Sequence, residues 1–479
     1  MGDRRGSPAS QRPAAPPGRV VILGAGPTGL GAACRLQQLG VERFRVLEAR
    51  PVVGGLARSE VDDAGFVWDI GGHVGFSRFP LYNEVATRAL KGDWACHRRC
   101  ARIYLAGRFV PYPYQLNVHR VSRRRACRAA AEMLLARRGP PPPGESFARW
   151  ARRYFGSAVS GDFLLPYNEK VWGYPAESLG TQWIADRVAL PRPSTLLYSA
   201  LFGRGKADWG PNRSFRFPRR GGTGALWQAL ARSLPPGVLT LSAPVEAIDP
   251  TSRTVETADE CIGFDTLISS IPLPELLQRL SGIPAATREA GGALRHSAVH
   301  VVGFGFQGPR PAILDGLSWV YFPEPEIPFH RVTVLSNYSP HNVPPLLGAW
   351  SLLVEASETP WQPVATENLA GRTLAALEKA NLVPRGAEPV SVWQHREAYG
   401  YPTPTVDRDT ILARLLPALE ARGIYSRGRF GAWRYEVSNQ DHCFMQGVEI
   451  VDRLVRGRAE NVVTLSGTTP PRAAARAAG

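Results

Sequence analysis

Residues 19–50 read RVVILGAGPTGLGAACRLQQLGVERFRVLEAR, a short apolar strand, a glycine turn, a helix and a second strand that ends on Glu48. Few folds admit that order. Gly24 permits a tight turn, Gly26 lets a pyrophosphate approach the main chain, and Gly29 lets the helix pack close to the strand. The helix N-terminus, with Thr28 in its first turn, faces the phosphates. Glu48 lies 19 residues after Gly29, where a carboxylate can accept both hydroxyls of an adenosine ribose. A lone GxGxxG is weak evidence, but strand, helix, second strand and terminal acid in sequence predict a dinucleotide-binding domain.

At 479 residues the chain exceeds what one hydrophobic core usually fills, so two or three domains are expected. The fold class expected is α/β. A Rossmann-like nucleotide-binding domain is assembled from residues 19–118, 213–295 and 406–466, with a helical insertion at 119–212 and a second, mostly antiparallel β-sheet domain at 296–405. The insertion is read from HRVSRRRACRAAAEMLLARR (119–138), broken by Pro140 to Gly144 and resumed through FARWARRYF and WIADRVA. HVVGFGFQ, RVTVLSNYSP and WSLLVEAS read as strands of the second sheet, and LTLSAPVEAIDP and FDTLISSIPL as further strands of the nucleotide sheet. The Pro/Ala/Arg-rich leader (1–18) and the tail (467–479) have little to bury and are expected to be disordered.

A net charge of +16 invites a nucleic-acid partner, yet only four of the 57 basic residues are lysines and no nucleic-acid motif accompanies them. The arginines of 119–138 fit the solvated face of one helix. No apolar run approaches the ~20 residues needed to span a bilayer. The six cysteines include no paired CxxC, so neither a metal site nor a disulfide framework is expected. Nucleic acid and membrane are thus not expected as partners, and the protein is read as cytoplasmic. Self-association is left open.

Soon after Glu48 come Gly54-Gly55, Leu56 and Arg58, then Asp69-Ile70-Gly71-Gly72-His73. This arrangement resembles the GG-doublet flavoproteins, the group that includes amine oxidases and protoporphyrinogen oxidases. The resemblance implies FAD. In it Gly55, Leu56 and Arg58 continue the pyrophosphate cradle, Gly71 and Gly72 pass the isoalloxazine, and Val245 meets the adenine. Four distant segments narrow the family: DIGGHVGFSRF (69–79), PYNEKVWGYP (166–175), FRFPRRGGTGALW (215–227) and SRGRFGAWRYEVSNQDHCFMQGVE (426–449), with GYPTPT and RVTVLSNYSP between them. Together they resemble the UDP-galactopyranose mutases of the eukaryotic type, from the fingerprint to about residue 455.

That resemblance implies an isomerase that interconverts the pyranose and furanose forms of a nucleotide-linked hexose, with reduced flavin N5 as nucleophile at the anomeric carbon. A departing diphosphate gathers negative charge, so fixed cations are wanted. By motif position these are Arg220 and Arg331, and arginine's planar fork suits two phosphate oxygens. Tyr338, Tyr401 and Tyr435 stand where the family aims phenol hydroxyls at the same group. His73 falls on the loop beside the flavin N5, Arg429 near the sugar pocket and a reducing nicotinamide. Asn439 and Gln440 close over the pyrimidine end of the flavin, and Met445-Gln446-Gly447 is read as opening a helix toward the reduced ring. Tyr112, Gln115, Phe163, Tyr167, Asn168 and Trp172 match positions that hold uracil, aromatic faces stacking on the base and amides reading its edge.

The sequence departs from the family at Arg78, where histidine is usual, at Cys443, where serine is common, and after Leu234, where an expected flap has no counterpart. Such changes leave room for a mutase of GDP-linked or other nucleotide hexoses. A flavin oxidase or desaturase of the GG-doublet group and a catalytically silent nucleotide-sugar binder are the remaining alternatives. The flavin must be reduced to work, which implies NAD(P)H as donor. No separate nicotinamide fingerprint is present, so donor and sugar nucleotide are expected to share one cleft.

Overall fold

The computed structural model describes residues 18–136, 142–184, 187–203, 210 and 212–463. The expected disordered tail, and the leader except for its last residue, lie outside the described residues.

The apolar strand Val20–Leu23 is buried along its whole length at the centre of a five-stranded parallel sheet, because helices cover both of its faces. Phe44–Leu47 pairs on one side and Thr266–Ser269 on the other, and Leu239–Thr240 and Ile424–Ser426 complete the edges. Helix Pro27–Gln38 packs against the sheet and against the C-terminal helix Gln440–Arg456. The approach is close because the crossing residues are small: a Cβ on Gly31 would lie 2.3 Å from Phe444 O, and one on Gly447 would lie 2.0 Å from Thr28 O.

A second, seven-stranded sheet runs in the order 391–402, 296–307, 349–358, 331–333, 319–321, 101–105, 108–111 and is antiparallel except where Trp319–Tyr321 meets Ala101–Leu105. Two expectations change here. Residues 101–111, assigned from sequence to the first nucleotide-binding segment, form the edge of this second sheet. Val245–Asp249 leaves the nucleotide sheet for a small antiparallel meander with Thr254–Thr257 and Cys261–Gly263. The short alternating runs of that region suit a local meander, whereas the nucleotide sheet is built from strands buried on both faces.

Gly303 and Gly305, two residues apart on the long strand His296–Gln307, leave a flat floor. A Cβ at Gly303 would stand 2.6 Å from the Trp68 ring, and one at Gly305 would stand 2.5 Å from the Phe66 ring. The aromatic side chains of Phe66, Trp68 and Trp393 stack over that floor, with centroids 5.7 and 6.1 Å apart. Strand Val67–Asp69 carries this slab and feeds directly into the Gly71–His73 loop.

The helical insertion begins at Tyr114–Asn117 and continues through Arg123–Leu135, Phe147–Val159, Leu165–Trp172 and Pro193–Phe202. Ser122 and Ser146 cap two of these helices through their side-chain oxygens. WIADRVA, expected to be helical, forms no α-helix at its described positions. Pro191 and Pro193 follow at once, and proline cannot continue a helix begun before it.

Candidate active site

The two halves of the fold enclose one large cavity of about 2140 Å³. A pocket for one small ligand is commonly ~300–1,000 Å³, so this volume can take two sizeable molecules.

At one end lies the nucleotide cradle. Gly24 has φ +92°, and a Cβ on Gly29 would fall 1.8 Å from Gly24 O, so the turn requires both hydrogens. Helix Pro27–Gln38 starts with no side-chain cap, which leaves its first N–H groups for a bound anion. Gly54 N–H donates to Ala25 O at 2.9 Å, pinning the second glycine pair against the first turn. Glu48 lines the cavity, with Oε2 accepting from Ala25 N–H at 2.6 Å. Thr28, Gly55, Leu56 and Val245 line it as well. These features fit the diphosphate and adenosine of FAD. Arg58 does not reach the cavity. It is buried beneath the doublet, donating to Gly55 O at 3.0 Å and to Glu397 at 3.2 Å, so it braces the cradle from below.

The opposite end is aromatic. The Phe163 and Tyr167 rings stack at 5.1 Å and 11°. Gln115, buried, donates through Nε2 to Ala189 O at 3.0 Å, while its Oε1 has no partner among the described residues. A buried acceptor left open is costly unless a ligand donor meets it, and Gln115 lines the cavity. Asn168 also lines it, but its amide is satisfied within its own helix, donating to Leu164 O and accepting from Trp172 Nε1. Trp172 in turn meets the Tyr435 ring edge-on at 4.6 Å. Tyr112 completes this wall.

Between the ends stand the charges. Arg331 is held fork-to-fork by Glu355, both contacts 2.7 Å. Burial pushes the Glu355 carboxyl upward, but Arg331 overrules it and the value falls to about 2. Arg429 donates to Gly400 O at 2.9 Å and to Ser438 Oγ at 3.0 Å, with its guanidinium over the Tyr401 ring. Arg187 donates to Tyr435 O at 3.0 Å and to Asn439 Oδ1 at 3.2 Å and lies 4.3 Å over the Tyr435 ring. Neither Arg187 nor Arg429 has a carboxylate partner among the described residues. Three arginines against one carboxylate leave this part of the cavity with two uncompensated positive charges, suited to a diphosphate.

Gly71, Gly72 and His73 line the cavity beside these charges. Burial lowers the His73 pKa to about 4, with Glu355 partly offsetting it, so the ring is neutral near pH 7. Its Nδ1 lies 3.0 Å from Gly71 O, which leaves Nε2 as an acceptor. Asn439 precedes helix Gln440–Arg456 without a side-chain capping bond, and Gln440 Oε1 accepts from Trp227 at 2.9 Å. Met445-Gln446-Gly447, expected to open a helix, therefore lies inside one, in its second turn.

Two expected residues stand elsewhere. Arg220 does not line the cavity: its side chain is 71% exposed and lies 3.9 Å from Asp93. The strand Ser214–Pro218 ends before it, and Arg219 turns to the same Asp93. Tyr338 is sealed among Phe215, Phe217 and His97, with its hydroxyl 3.5 Å from Ser318 O. A short 3-10 turn at Leu335–Asn337 directs it inward. Sequence reasoning missed Arg187 and Glu355. A lone arginine in so arginine-rich a chain gives no signal. Glu355 did give one, being a carboxylate inside the otherwise buried strand Ala349–Glu358.

His330 adds a measurable consequence. It is 1% exposed, and burial lowers its pKa to about 3. Both His73 and His330 therefore bind fewer protons folded than unfolded below pH 6.5, and stability is lost as pH falls from 6.5 toward their folded values, by about 1.4 kcal/mol per pH unit per group. Asp69, raised by burial to about 6 despite hydrogen bonds from Ser59 and Thr223, opposes this between pH 3.8 and 6, and Glu355 joins the loss below pH 4.5. Chemical denaturation at pH 7, 5.5 and 4.5 should give steadily falling stability. A flat or rising profile would contradict the neutral imidazoles.

A protein-family comparison matches residues 27–454 to flavin containing amine oxidoreductases. Among solved structures, a reduced UDP-galactopyranose mutase superposes with a TM-score of 0.88 at 39% identity, over 94% of this chain and 95% of that one. A putative protoporphyrinogen oxidase from Exiguobacterium sp. 255-15 superposes with a TM-score of 0.71 at 19% identity, over 92% and 99% of the two chains. Putrescine oxidase bound to putrescine gives 0.62 at 19% identity, over 91% and 98%. The latter two share the fold alone.

Proposed function

We propose a reaction on the premise that the chain belongs to the flavin containing amine oxidoreductases and, within them, to the UDP-galactopyranose mutase family. It is an FAD-dependent mutase that interconverts the pyranose and furanose forms of a nucleotide-linked hexose. We assign UDP-galactopyranose and UDP-galactofuranose as the pair, the eukaryotic type as the subgroup on the run 433–449, and NAD(P)H as the reductant.

The observation that carries this reading is the cluster of Arg187, Arg331 and Arg429, balanced among the described residues by Glu355 alone, inside the same cavity as a nucleotide cradle. An oxidase of amines has no use for such a cluster. Bound FAD, once reduced, supplies the nucleophile for the anomeric carbon. The chain supplies position and field. Arg331 and Arg187 hold the diphosphate as its negative charge grows and keep it close for return. The Tyr401 hydroxyl, 3.1 Å from Glu355 Oε2, and the Tyr435 ring under Arg187 shape that seat. Phe163 and Tyr167 offer the wall against which the base stacks, and Gln115 Oε1 accepts an N–H from its edge, as uracil would present. Neutral His73 offers an acceptor rather than a fourth cation, which leaves the arginines to orient the anion.

The test is turnover with defined redox state. Dithionite-reduced protein incubated anaerobically with UDP-galactofuranose should yield UDP-galactopyranose on anion-exchange chromatography, and oxidised protein at least 100-fold less. Conversion of GDP-hexoses in preference would replace the base assignment. Oxygen uptake with a dehydrogenated product would replace the mutase with an oxidase.

A further inference from the structure

The helix Pro193–Phe202 wears its apolar stripe on the outside. Ser194, Leu197, Tyr198, Leu201 and Phe202 recur at the spacing of a core-facing stripe, yet all five are exposed, the four apolar side chains by between 42% and 64%. Of the helix's described side chains only Leu196 and Ser199 are buried. The Tyr198 and Phe202 rings pair with each other on that outer face at 4.8 Å. Single exposed apolar residues need no explanation, whereas four along one helix face mark a contact surface.

The surface beside it is cationic. Helix Arg123–Leu135 packs alongside, and Gly203, directly after Phe202, lies against His119, directly before Arg120. The two helices therefore run antiparallel, and the Leu201–Phe202 end of the stripe stands next to the first turn of the other helix. That turn carries Arg123, Arg124 and Arg125 and no acidic residue. Three cations at a helix N-terminus oppose its macrodipole, so helix stability does not call for them. Arg125 and Arg128 have carboxylate partners in Asp162 and Glu132, but Arg120, Arg123 and Arg124 are exposed with none among the described residues. Residues 119–138 hold seven arginines and one acid. Leu134 and Leu135, exposed at the far end of the same helix, extend the apolar area.

We propose that this face docks on an anionic lipid bilayer, with Leu197, Leu201 and Phe202 in the acyl boundary and Arg120, Arg123 and Arg124 among the lipid phosphates. An interfacial helix needs both parts, because apolar burial and attraction to anionic headgroups add to give the binding strength. Charge argues against a second copy of this chain: a two-fold contact would set the arginines of one copy against the same arginines of the other. The stripe argues against nucleic acid, whose phosphate surface leaves it unburied. Among the described residues no helix is long and apolar enough to cross a bilayer, so the helix lies on the surface. The arginines then meet phosphates rather than water alone, contrary to the solvated face expected from sequence. None of these residues lines the cavity, so docking is independent of the reaction assigned above.

The experiment is co-sedimentation of the full-length holoprotein with vesicles, one set of phosphatidylcholine alone and one of equal parts phosphatidylcholine and phosphatidylglycerol. The native protein should bind the anionic set ~10-fold more tightly or better, and less well at raised salt. Leu201→Ser combined with Phe202→Ser should weaken binding to the anionic set by ~10-fold or more, since both side chains lose their apolar burial. Arg123→Gln combined with Arg124→Gln should weaken it by ~5-fold per arginine. All four residues are exposed, so FAD content and the thermal midpoint should stay at native values, which separates loss of docking from loss of fold. Failure of the native protein to bind anionic vesicles, equal binding to both sets, or full binding by either double variant overturns the proposal. So does a native dimer on sizing chromatography that Leu201→Ser with Phe202→Ser dissociates, which would give the face to a second copy.

Discussion

Replacing Arg331 with alanine is expected to lower kcat by about 10³-fold while FAD stays bound. Charge-assisted hydrogen bonds aimed at charge that develops in the transition state are each worth several kcal/mol. Arg331 has the fixed geometry for this, since its fork is locked by Glu355 and cannot swing away. The same substitution strands Glu355 in the interior. Breaking a buried pair by removing one partner typically costs ~3–5 kcal/mol. The pH signature separates the two effects. Without Arg331, burial drives the Glu355 carboxyl above its ordinary value, and a raised carboxyl favours the folded state at acid pH and penalises it as pH rises. The stability deficit of the alanine variant relative to the native protein should therefore narrow on mild acidification, without regaining turnover. Steady-state kinetics, flavin absorbance and denaturation at two pH values test all three statements. Turnover within five-fold of the native value would remove Arg331 from the reaction.

Arg187→Ala is expected to cost about 10²-fold in kcat, and Arg220→Ala less than two-fold. The first residue is an uncompensated cation in the cavity, while the second is an exposed neighbour of Asp93. Surface charges of that kind contribute little. The Arg187 effect is set below that of Arg331 because its guanidinium is anchored by backbone oxygens and one amide rather than by a bidentate carboxylate. The pair is a direct comparison between motif position and geometry. Equal losses, or a larger loss for Arg220, would mean that the Arg219–Gly222 turn rearranges to reach the substrate.

What sequence made legible follows the reach of each physical rule. The glycine fingerprint, the doublet and the apolar strands are local patterns, and turn chemistry and strand period fix them within a few residues. Gln115, Phe163 and Tyr167 were named from the family resemblance alone, since aromatic residues at that spacing read equally well as core, and the fold brings their two short segments to the cavity. Arg220 was assigned by motif position, which does not tell where its side chain points, and it stands outside the cavity beside a turn made by two positive-φ glycines. Tyr338 was likewise named by family position, and after the 3-10 turn Leu335–Asn337 it is buried away from the cavity. Arg187 carried no local mark at all. It is singled out by what it lacks among the described residues, a carboxylate partner, and that is visible only when residues 187, 331, 355 and 429 are in one place.

The flat floor at Gly303 and Gly305 has a wider meaning for variation in this protein. Neither position touches the cavity, yet each admits the aromatic slab on whose far edge the segment beginning at Asp69 is moored. A methyl group at either place would tilt that mooring, and the flavin-side loop would inherit the tilt with every one of its own residues intact. Inherited differences at these two silent-looking sites would thus surface as altered chemistry rather than as altered binding residues, and a comparison restricted to the cavity wall would overlook their origin.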